Sequence, residues 1–273
     1  MLKLGHIDYS NCYPVHAGIL KGKVPCPFPI VRGIPTELNR LLSEGGIDVS
    51  PSSSIEYALN ADRYVILPDL SITSKLKAMS ILLESRVPIN DLTAMSVALT
   101  TASATSVVLL RIILEIFEGL RVDYLQYQQG REDPYAKAEA VLTIGDLALK
   151  RAADPSLPYS YDLGELWHRH TGLPFVFALW QVRYRKDLEP DLTKLYDILM
   201  ESKGYGFSRL PELAKSASEE FGLAEETLLA YWNTFSYGFG ESEKKGLLTY
   251  YGYSAELGVL GSVPELKIWQ SGA

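Results

Sequence analysis

Apolar and polar positions along the first 50 residues change repeatedly between the spacing of a strand and that of a helix. Residues 2–7, 28–31 and 47–49 are short apolar runs, which are typical of buried strands. Residues 14–20 and 35–43 carry apolar residues at helical spacing, and each segment begins with proline, which is favoured in the first turn of a helix. The pattern therefore predicts a βαβαβ unit.

Three further elements follow before this pattern breaks. Residues 53–59 predict a short helix, and residues 64–67 and 78–83 predict strands. Pro88 and the Asn-Asp pair at 90–91 then interrupt the apolar pattern, as loop residues do. A boundary between two structural units is expected here.

The residues beyond this break repeat the arrangement. A helix that is apolar on most faces is predicted at 107–117. Strands are predicted at 95–99, 122–125, 140–144 and within 173–184. Shorter helices are predicted at 147–152 and around Trp167, and the chain is mainly helical from Leu188 onward.

This order of elements indicates two α/β lobes, with the second inserted into the first. The first lobe would contain residues 1–89 and 177–273, with a helical C-terminal part, and the second would contain residues 90–176. Two extended crossings, near Pro88 and Pro174, would connect them. The organisation is typical of the two-lobed binding-protein fold, which holds its ligand in a central cleft.

Composition and charge exclude several classes of partner. The chain of 273 residues is 47% apolar and 11% aromatic, so it can bury a large core. Its formal charge of −7 and the lack of a Lys/Arg-rich run argue against nucleic acid or a membrane surface as a partner. An anionic small molecule would have to be held by hydroxyls and N–H groups. The pattern does not predict an oligomeric state.

Targeting signals and cysteine usage indicate a cytoplasmic protein. Residues 1–6 lack the long apolar core of a secretory signal, and the apolar run 107–117 is interrupted by charges and is too short to span a bilayer. Cys12 and Cys26 are too few for a disulfide framework and do not have metal-ligand spacing. We therefore expect a soluble protein of a reducing compartment.

Three junctions between a strand and a helix are rich in small polar residues. They are IDYSNCYPVH (7–16), SPSSSIEYAL (50–59) and TTASATSVVLL (100–110). Free N–H groups at a helix start, together with nearby hydroxyls, can hold a carboxylate without a cationic side chain. The candidate substrate-binding residues are Ser10, Ser53, Ser54, Ser103, Thr105, Ser106 and Asp146.

Each of these candidates has a structural alternative. Ser53 and Ser103 could serve only as N-caps, and Asp146 could be a helix cap or a site carboxylate. Asn11 is the candidate catalytic residue. Because its amide cannot act as a general base, its role would be orientation or electrostatic stabilisation, unless it merely caps the helix that follows.

Motifs of other chemistries are absent from the sequence. It contains no GxSxG, P-loop, GxGxxG or HExxH motif, so nucleotide-binding, hydrolase and zinc-protease functions lack support. His168 and His170 are two residues apart and would not share a helix face, so no metal site is expected there. Cys12 has no identifiable histidine base and is expected to be a small buried thiol.

Five segments resemble the chorismate dehydratases of the futalosine route to menaquinone. They are GHIDYSNCYPV, GGIDVSPSSSIEYALN, TTASATSVVLLRIIL, TIGDLAL and YDLGELWHRHTGLPFVFALW, which together cover nearly the whole chain in the right order. The resemblance implies a periplasmic-binding-protein type 2 fold, a cytoplasmic enzyme, and no metal or organic cofactor. Position 104 is Ala, where the resemblance leads us to expect a larger, often basic residue.

The reaction implied by the resemblance is loss of water from chorismate to give 3-[(1-carboxyvinyl)oxy]benzoate. Asn11 would act in catalysis, and the hydroxyl clusters would bind the carboxylates of chorismate. Two alternatives remain: a protein that binds or senses a small anion without catalysis, and the related enzyme that cleaves cyclic dehypoxanthine futalosine. The segment SNCYP favours the dehydratase.

Overall fold

The structure is a computed structural model that describes residues 2–153 and 157–270. Its strands are β1 (Leu4–Ile7), β2 (Ile30–Gly33), β3 (Val49–Ser53), β4 (Tyr64–Ser74), β5 (Ile81–Ser85), β6 (Ser96–Thr100), β7 (Asp123–Tyr127), β8 (Ala140–Ile144), β9 (Tyr159–Asp162), β10 (Phe175–Arg183) and β11 (Phe235–Ser236). Its α-helices are α1 (Tyr13–Leu20), α2 (Pro35–Glu44), α3 (Ser54–Leu59), α4 (Ala104–Arg111), α5 (Gly145–Ala153), α6 (Leu163–Thr171), α7 (Glu189–Phe207), α8 (Leu210–Phe221), α9 (Glu225–Thr234) and α10 (Glu241–Glu256).

The chain folds into two compact units. Unit 1 contains Met1–Ile72, Ala178–Phe239 and Pro264–Ala273, and unit 2 contains Thr73–Phe177 and Gly240–Val263.

The boundaries of these units differ from the expected ones. The first crossing follows Ile72 inside β4, because β4 is one continuous strand of 11 residues. Pro88 instead precedes a 3-10 turn within unit 2. The return crossing follows Phe177, close to the expected position, and the segment Gly240–Val263 joins unit 2, which the sequence pattern did not indicate.

Unit 1 is built on a six-stranded mixed sheet in the order β11-β4-β10-β3-β1-β2. β1 runs parallel to β2 and β3, whereas β3 and β10 are antiparallel, with Ala178 opposite Ser53. β1 is buried along its whole length, as expected for a central strand covered on both faces.

Helix α1 packs against α7 within unit 1. A Cβ atom at Gly206 of α7 would overlap the Pro14 carbonyl of α1, so the two helices approach this closely only because residue 206 is glycine. All residues of α1 except the last are buried. Packing therefore fixes the position of α1 and of the turn that precedes it.

Unit 2 is built on a five-stranded mixed sheet in the order β7-β6-β8-β5-β9. β6 is parallel to β7 and β8, whereas β5 is antiparallel to β8 and β9. Helix α4 continues as a π-helix over Ile112–Phe117. The ring of Tyr250 in α10 lies 4.9 Å from the ring of Phe175 and 6.4 Å from that of Trp167, which ties α10 into this unit.

The prediction of an α/β architecture is confirmed. β8 occupies the predicted residues 140–144, and helices are present where 14–20, 35–43 and 147–152 predicted them. β9 was not predicted. No helix within the described residues is long and apolar enough to cross a bilayer.

Candidate active site

Residues 9–12, hereafter the Asn11 turn, connect the buried strand β1 to the buried helix α1. The N–H of Cys12 donates to the Tyr9 carbonyl (3.1 Å), and the N–H of Tyr13 donates to the Ser10 carbonyl (3.2 Å). Cys12 is the N-cap of α1, and its side chain makes no capping hydrogen bond. The turn is therefore not closed by the side chain of its N-cap residue.

Among the described residues, neither capping of α1 nor a hydrogen bond to Oδ1 gives the Asn11 side chain a structural role. Asn11 lies one residue before the N-cap, so the interpretation of Asn11 as a helix cap is wrong. Its Oδ1 is buried and accepts no hydrogen bond from any described residue. Leaving a buried amide oxygen unpaired costs about 1–3 kcal/mol. This cost makes the Asn11 amide a candidate for a group that contacts a ligand.

Two aromatic side chains hold the backbone of the Asn11 turn. Trp232 Nε1 donates to the Ser10 carbonyl (2.8 Å), and the Tyr237 hydroxyl donates to the Asn11 carbonyl (2.9 Å). Both side chains are buried. Burial raises the pKa of Tyr237 well above its usual value, so the hydroxyl remains a protonated donor near neutral pH.

A row of hydrogen bonds joins α1 to the sheet of unit 1. Trp180 Nε1 donates to His16 Nε2 (3.1 Å), and the Nδ1 atoms of His16 and His6 are 2.8 Å apart. Because an indole N–H can only donate, His16 accepts at Nε2 and carries its proton on Nδ1, which donates to His6. His6 then carries its proton on Nε2. This assignment makes both rings neutral.

Burial keeps these rings and the Cys12 thiol uncharged. Desolvation, followed by the nearby charge of Arg32, lowers the pKa of His6 to about 4, and desolvation lowers the pKa of His16 well below 6.5. Desolvation raises the pKa of Cys12 to about 12. The prediction of a buried thiol is confirmed, and a thiol with this pKa is not a nucleophile at neutral pH.

Among the described residues, His6, Cys12 and His16 form the one group of three potential metal ligands that lie close together. Ligand atoms of His6, Cys12 and His16 all lie within 4.8 Å of one another, and such groups bind soft divalent cations. However, one Nδ1 proton lies between the two rings, and Trp180 donates to the other nitrogen of His16. His16 therefore has no free lone pair, and the group fits a neutral hydrogen-bonded cluster better than a metal centre.

The second predicted junction lies between β3 and α3. Ser53 is the N-cap of α3, but its side chain makes no capping hydrogen bond, and Ser54 beside it is fully buried. The Ser53 N–H donates to Asn39 Oδ1 (3.2 Å), and its carbonyl accepts from Gln181 Nε2 (2.9 Å). Ser52 Oγ and Gln181 Oε1 are buried without a partner among the described residues. Ser53 therefore occupies the expected N-cap position but does not cap α3 through its side chain.

The third predicted junction lies between β6 and α4 in unit 2. The Ser103 hydroxyl accepts from the N–H of Ser106 (3.2 Å) and donates to the Ser106 hydroxyl (2.9 Å), so the cap interpretation is confirmed for Ser103. Thr105 is buried, and its carbonyl accepts from the Tyr250 hydroxyl (3.2 Å). Ala104 places no charge at this junction.

Two aspartates of unit 2 occupy helix starts. Asp146 lies half-buried in the first turn of α5, where a negative charge is favourable to the helix dipole. Asp162, which was not among the candidate site residues, is the N-cap of α6 and accepts from the N–H groups of Met79 (2.6 Å) and Glu165 (3.1 Å). Asp162 is therefore explained by the fold.

Each unit gathers its own predicted residues at one edge of its sheet. In unit 1 the Asn11 turn follows β1, and Ser53 ends the neighbouring parallel strand β3. In unit 2 Ser103 follows β6, and Asp146 follows the neighbouring parallel strand β8. The carboxyl ends of adjacent parallel strands share one sheet edge, which is where ligands bind in α/β folds.

Sequence reasoning missed the side chains that surround these turns. His6 and His16 flank the Asn11 motif in an apolar context, and that position could have identified them. Trp232 and Tyr237 are 222 and 226 residues away from their partners, so no local pattern connects them to the turn. Gln181 lies within an apolar strand and gave no separate signal.

Comparison with known protein sequences gives consistent matches. Residues 2–256 match the family model described as menaquinone biosynthesis. The chain is 33% identical over 261 residues to the chorismate dehydratase of Thermus thermophilus, which covers 89% of this chain and 92% of that protein. It is 30% identical over 196 residues to the chorismate dehydratase of Campylobacter jejuni, covering 70% of this chain and 72% of that protein.

Solved structures with the same architecture confirm the predicted fold. A protein from Archaeoglobus fulgidus has a TM-score of 0.77 at 19% identity, covering 95% of this chain and 98% of that one. The periplasmic aliphatic sulphonate binding protein of Escherichia coli has a TM-score of 0.66 at 15% identity, covering 99% of this chain and 92% of that one. The fold is thus an α/β fold of the periplasmic-binding-protein type, and the match over residues 2–256 shows that the chain belongs to the menaquinone biosynthesis family.

Proposed function

We propose that this protein is a chorismate dehydratase, a carbon–oxygen hydro-lyase that converts chorismate to 3-[(1-carboxyvinyl)oxy]benzoate for menaquinone biosynthesis. The observation that carries the proposal is the 33% identity with the Thermus thermophilus enzyme over 89% of the chain. The polar turns at the two sheet edges offer the uncharged donors that a dicarboxylate needs. Its expected compartment is the cytoplasm.

Aromatisation of the cyclohexadiene ring drives the proposed elimination. Removal of the proton from the ether-bearing ring carbon leaves a carbanion that is conjugated with the ring carboxylate. Negative charge therefore develops on that carboxylate. Aligned N–H and hydroxyl donors stabilise such developing charge. The ring hydroxyl then leaves, with a proton, as water.

The residues of the Asn11 turn and its surroundings do not provide a strong base. The acceptor nitrogens of His6 and His16 are both engaged in the row of hydrogen bonds that begins at Trp180, and the raised pKa of Cys12 keeps it a thiol. Asn11 cannot take a proton from carbon. We therefore infer that the enolpyruvyl carboxylate of the substrate, folded over the ring in a water-excluding site, removes the proton.

The polar residues then divide into two roles. Asn11 would orient the enolpyruvyl group or the leaving hydroxyl. Substrate binding is assigned to Ser10, Ser53 and Ser54 of unit 1 and to Ser103, Thr105, Ser106 and Asp146 of unit 2. The proposal includes neither a metal nor an organic cofactor.

Mass spectrometry of chorismate incubated with the purified protein tests the proposal. A species lighter by one water should form without added metal or nucleotide, and also in the presence of a chelator. Chorismate that binds but persists unchanged would identify a binding or sensing protein. Cleavage of cyclic dehypoxanthine futalosine, without loss of water from chorismate, would assign the chain to the related activity.

A further inference from the structure

The two peptide groups on either side of Asn11 are both fixed by donors from a distant part of the sequence. The carbonyl of the Ser10–Asn11 peptide accepts from Trp232 (2.8 Å), and the carbonyl of the Asn11–Cys12 peptide accepts from Tyr237 (2.9 Å). Because a peptide group is planar, fixing both carbonyls fixes the two backbone dihedral angles of Asn11. The direction of the Asn11 Cα–Cβ bond follows from them.

This arrangement matters because the Asn11 side chain has little else to hold it. Its Oδ1 is buried and has no hydrogen-bond partner among the described residues. The N-cap residue Cys12 adds no side-chain hydrogen bond to the turn. The direction of the amide oxygen therefore depends on the backbone.

The Tyr237 donor is itself rigidly placed. Lys203 Nζ donates to the Tyr237 carbonyl (2.7 Å) and to the Asp69 carbonyl (2.6 Å). The Tyr237 ring packs edge-on against Phe207, with 4.9 Å between ring centroids. A donor that is fixed at its backbone and its ring can fix the carbonyl that it contacts.

We propose that Tyr237, assisted by Trp232, is a positioning residue of the dehydratase, which aims the Asn11 amide at the reacting substrate by fixing the two peptide groups that flank it. The inference rests on the proposed function. Misdirection of a catalytic group slows the chemical step more than it weakens binding. The Tyr237 hydroxyl therefore contributes to kcat, through Asn11, and little to affinity.

A double-mutant cycle between Tyr237 and Asn11 tests this role. Tyr237→Phe removes one oxygen atom and keeps the ring, and we expect kcat to fall about ten-fold while product affinity stays within about two-fold. In the Asn11→Ala background the same substitution should lower kcat less than about two-fold, because no amide remains to be aimed. An equal loss of kcat in both backgrounds would overturn the positioning role.

Tyr127→Phe is the matched control for the loss of a buried hydroxyl. The Tyr127 hydroxyl is buried in unit 2 and donates to the Leu142 carbonyl (2.8 Å), so the same atom and the same kind of hydrogen bond are removed. We expect a loss of thermal stability similar to that of Tyr237→Phe, with kcat within about two-fold of the wild type. A ten-fold loss of kcat in Tyr127→Phe would show that the effect is general, and would overturn the proposal.

The remaining outcomes are also decisive. If Tyr237→Phe does not fold, Trp232→Phe, which removes the donor to Ser10, is taken through the same cycle with the same criteria. A wild-type protein that does not dehydrate chorismate would overturn the proposed function and this inference with it. A wild-type protein that turns over chorismate, with equal losses in the two backgrounds, would overturn the positioning role alone.

Discussion

The Asn11 turn and the turn before α4 each place small polar residues between a buried strand and a helix. Different interactions hold the two turns. The turn before α4 is held by hydrogen bonds within the turn, since the Ser103 hydroxyl accepts from the N–H of Ser106 and donates to the Ser106 hydroxyl. The Asn11 turn has no side-chain cap, leaves Asn11 Oδ1 unpaired among the described residues, and takes its donors from Trp232 and Tyr237.

The comparison shows that polar residues at a helix start serve two purposes. A side chain that caps its own helix stabilises the fold by about 1 kcal/mol. An unpaired buried amide lowers stability, and such a cost is found where a group is kept for a ligand. Asn11 and Ser103 therefore carry the same kind of sequence signal, but only the Ser103 side chain caps its own helix.

The largest expected effect is that of Asn11→Ala on turnover. We expect kcat to fall about 100-fold or more, the size of loss found when one preorganised polar group is removed from an active site, while product affinity changes little. Steady-state kinetics with chorismate and a product titration measure the two quantities. Near-normal turnover in a folded Asn11→Ser variant would remove Asn11 from the mechanism and erase its contrast with Ser103.

Acid should destabilise the region around the Asn11 turn before it affects the turn before α4. Burial lowers the pKa of His6 to about 4, so between pH 6.5 and 4 the unfolded chain binds a proton that the native protein does not. The stability that His6 contributes in its neutral form is therefore present above pH 6.5 and is lost as pH falls. The free energy of unfolding decreases by up to about 1.4 kcal/mol per pH unit for one histidine of this kind. The nearby charges of Arg32 and Asp8 have smaller effects on the pKa of His6, which Arg32 lowers and Asp8 raises.

Denaturant unfolding at pH 7, 6 and 5, combined with amide hydrogen exchange, measures this effect. Amides of α1 should lose protection at a higher pH than amides of α4. The His6→Gln variant keeps an acceptor for His16 and should show a shallower pH dependence. An unchanged pH dependence in this variant would contradict the assignment to the histidine pair.

Substitution of the proposed binding residues of the two units should have a smaller effect, and this effect should be on affinity. Ser53→Ala and Thr105→Ala should each weaken product binding by about 1–2 kcal/mol, because neighbouring N–H groups still hold the carboxylate. Isothermal titration with the product measures this loss, and kcat should change far less than in Asn11→Ala. A selective loss of kcat in either variant would place that residue in the chemical step instead.

The smallest expected effect separates the two serine N-caps. Ser103→Ala should lower the free energy of unfolding by about 1 kcal/mol, and Ser103→Gly should lower it by only a few tenths. Ser53→Ala should not lose this contribution, because the Ser53 side chain makes no capping hydrogen bond. Equal losses from Ser53→Ala and Ser103→Ala in urea unfolding would show that the observed caps do not explain stability.

The local pattern of apolar and polar residues predicted the strands and helices that are mostly apolar in themselves. It failed to predict elements that form only by pairing with distant residues. β8 occupies the predicted 140–144 because all five of its residues are buried and four of them are apolar. β9 was missed because Tyr159–Asp162 is polar in part and becomes a strand only by pairing with β5. The first crossing was misplaced because a proline marks a break in pattern, whereas the chain crosses within a continuous strand.

The candidate site was predictable to a similar extent. The polar junctions at Asn11, Ser53 and Ser103 stand out in the sequence, because each interrupts an apolar pattern. Whether each side chain is used by its own helix depends on geometry that residue type does not encode, as the two serines show. Tyr237 gave no signal, because its contact with the turn spans 226 residues.

That long separation has a consequence for the protein during its synthesis. Asn11 emerges from the ribosome before the donors that fix its backbone, which follow 222 and 226 residues after their partners. At about 5–20 residues per second, translation delivers them roughly 10 to 45 s later. For those seconds the nascent chain carries the Asn11 motif without the two donors that fix its backbone, and the proposed catalytic geometry can form only after Trp232 and Tyr237 have been made.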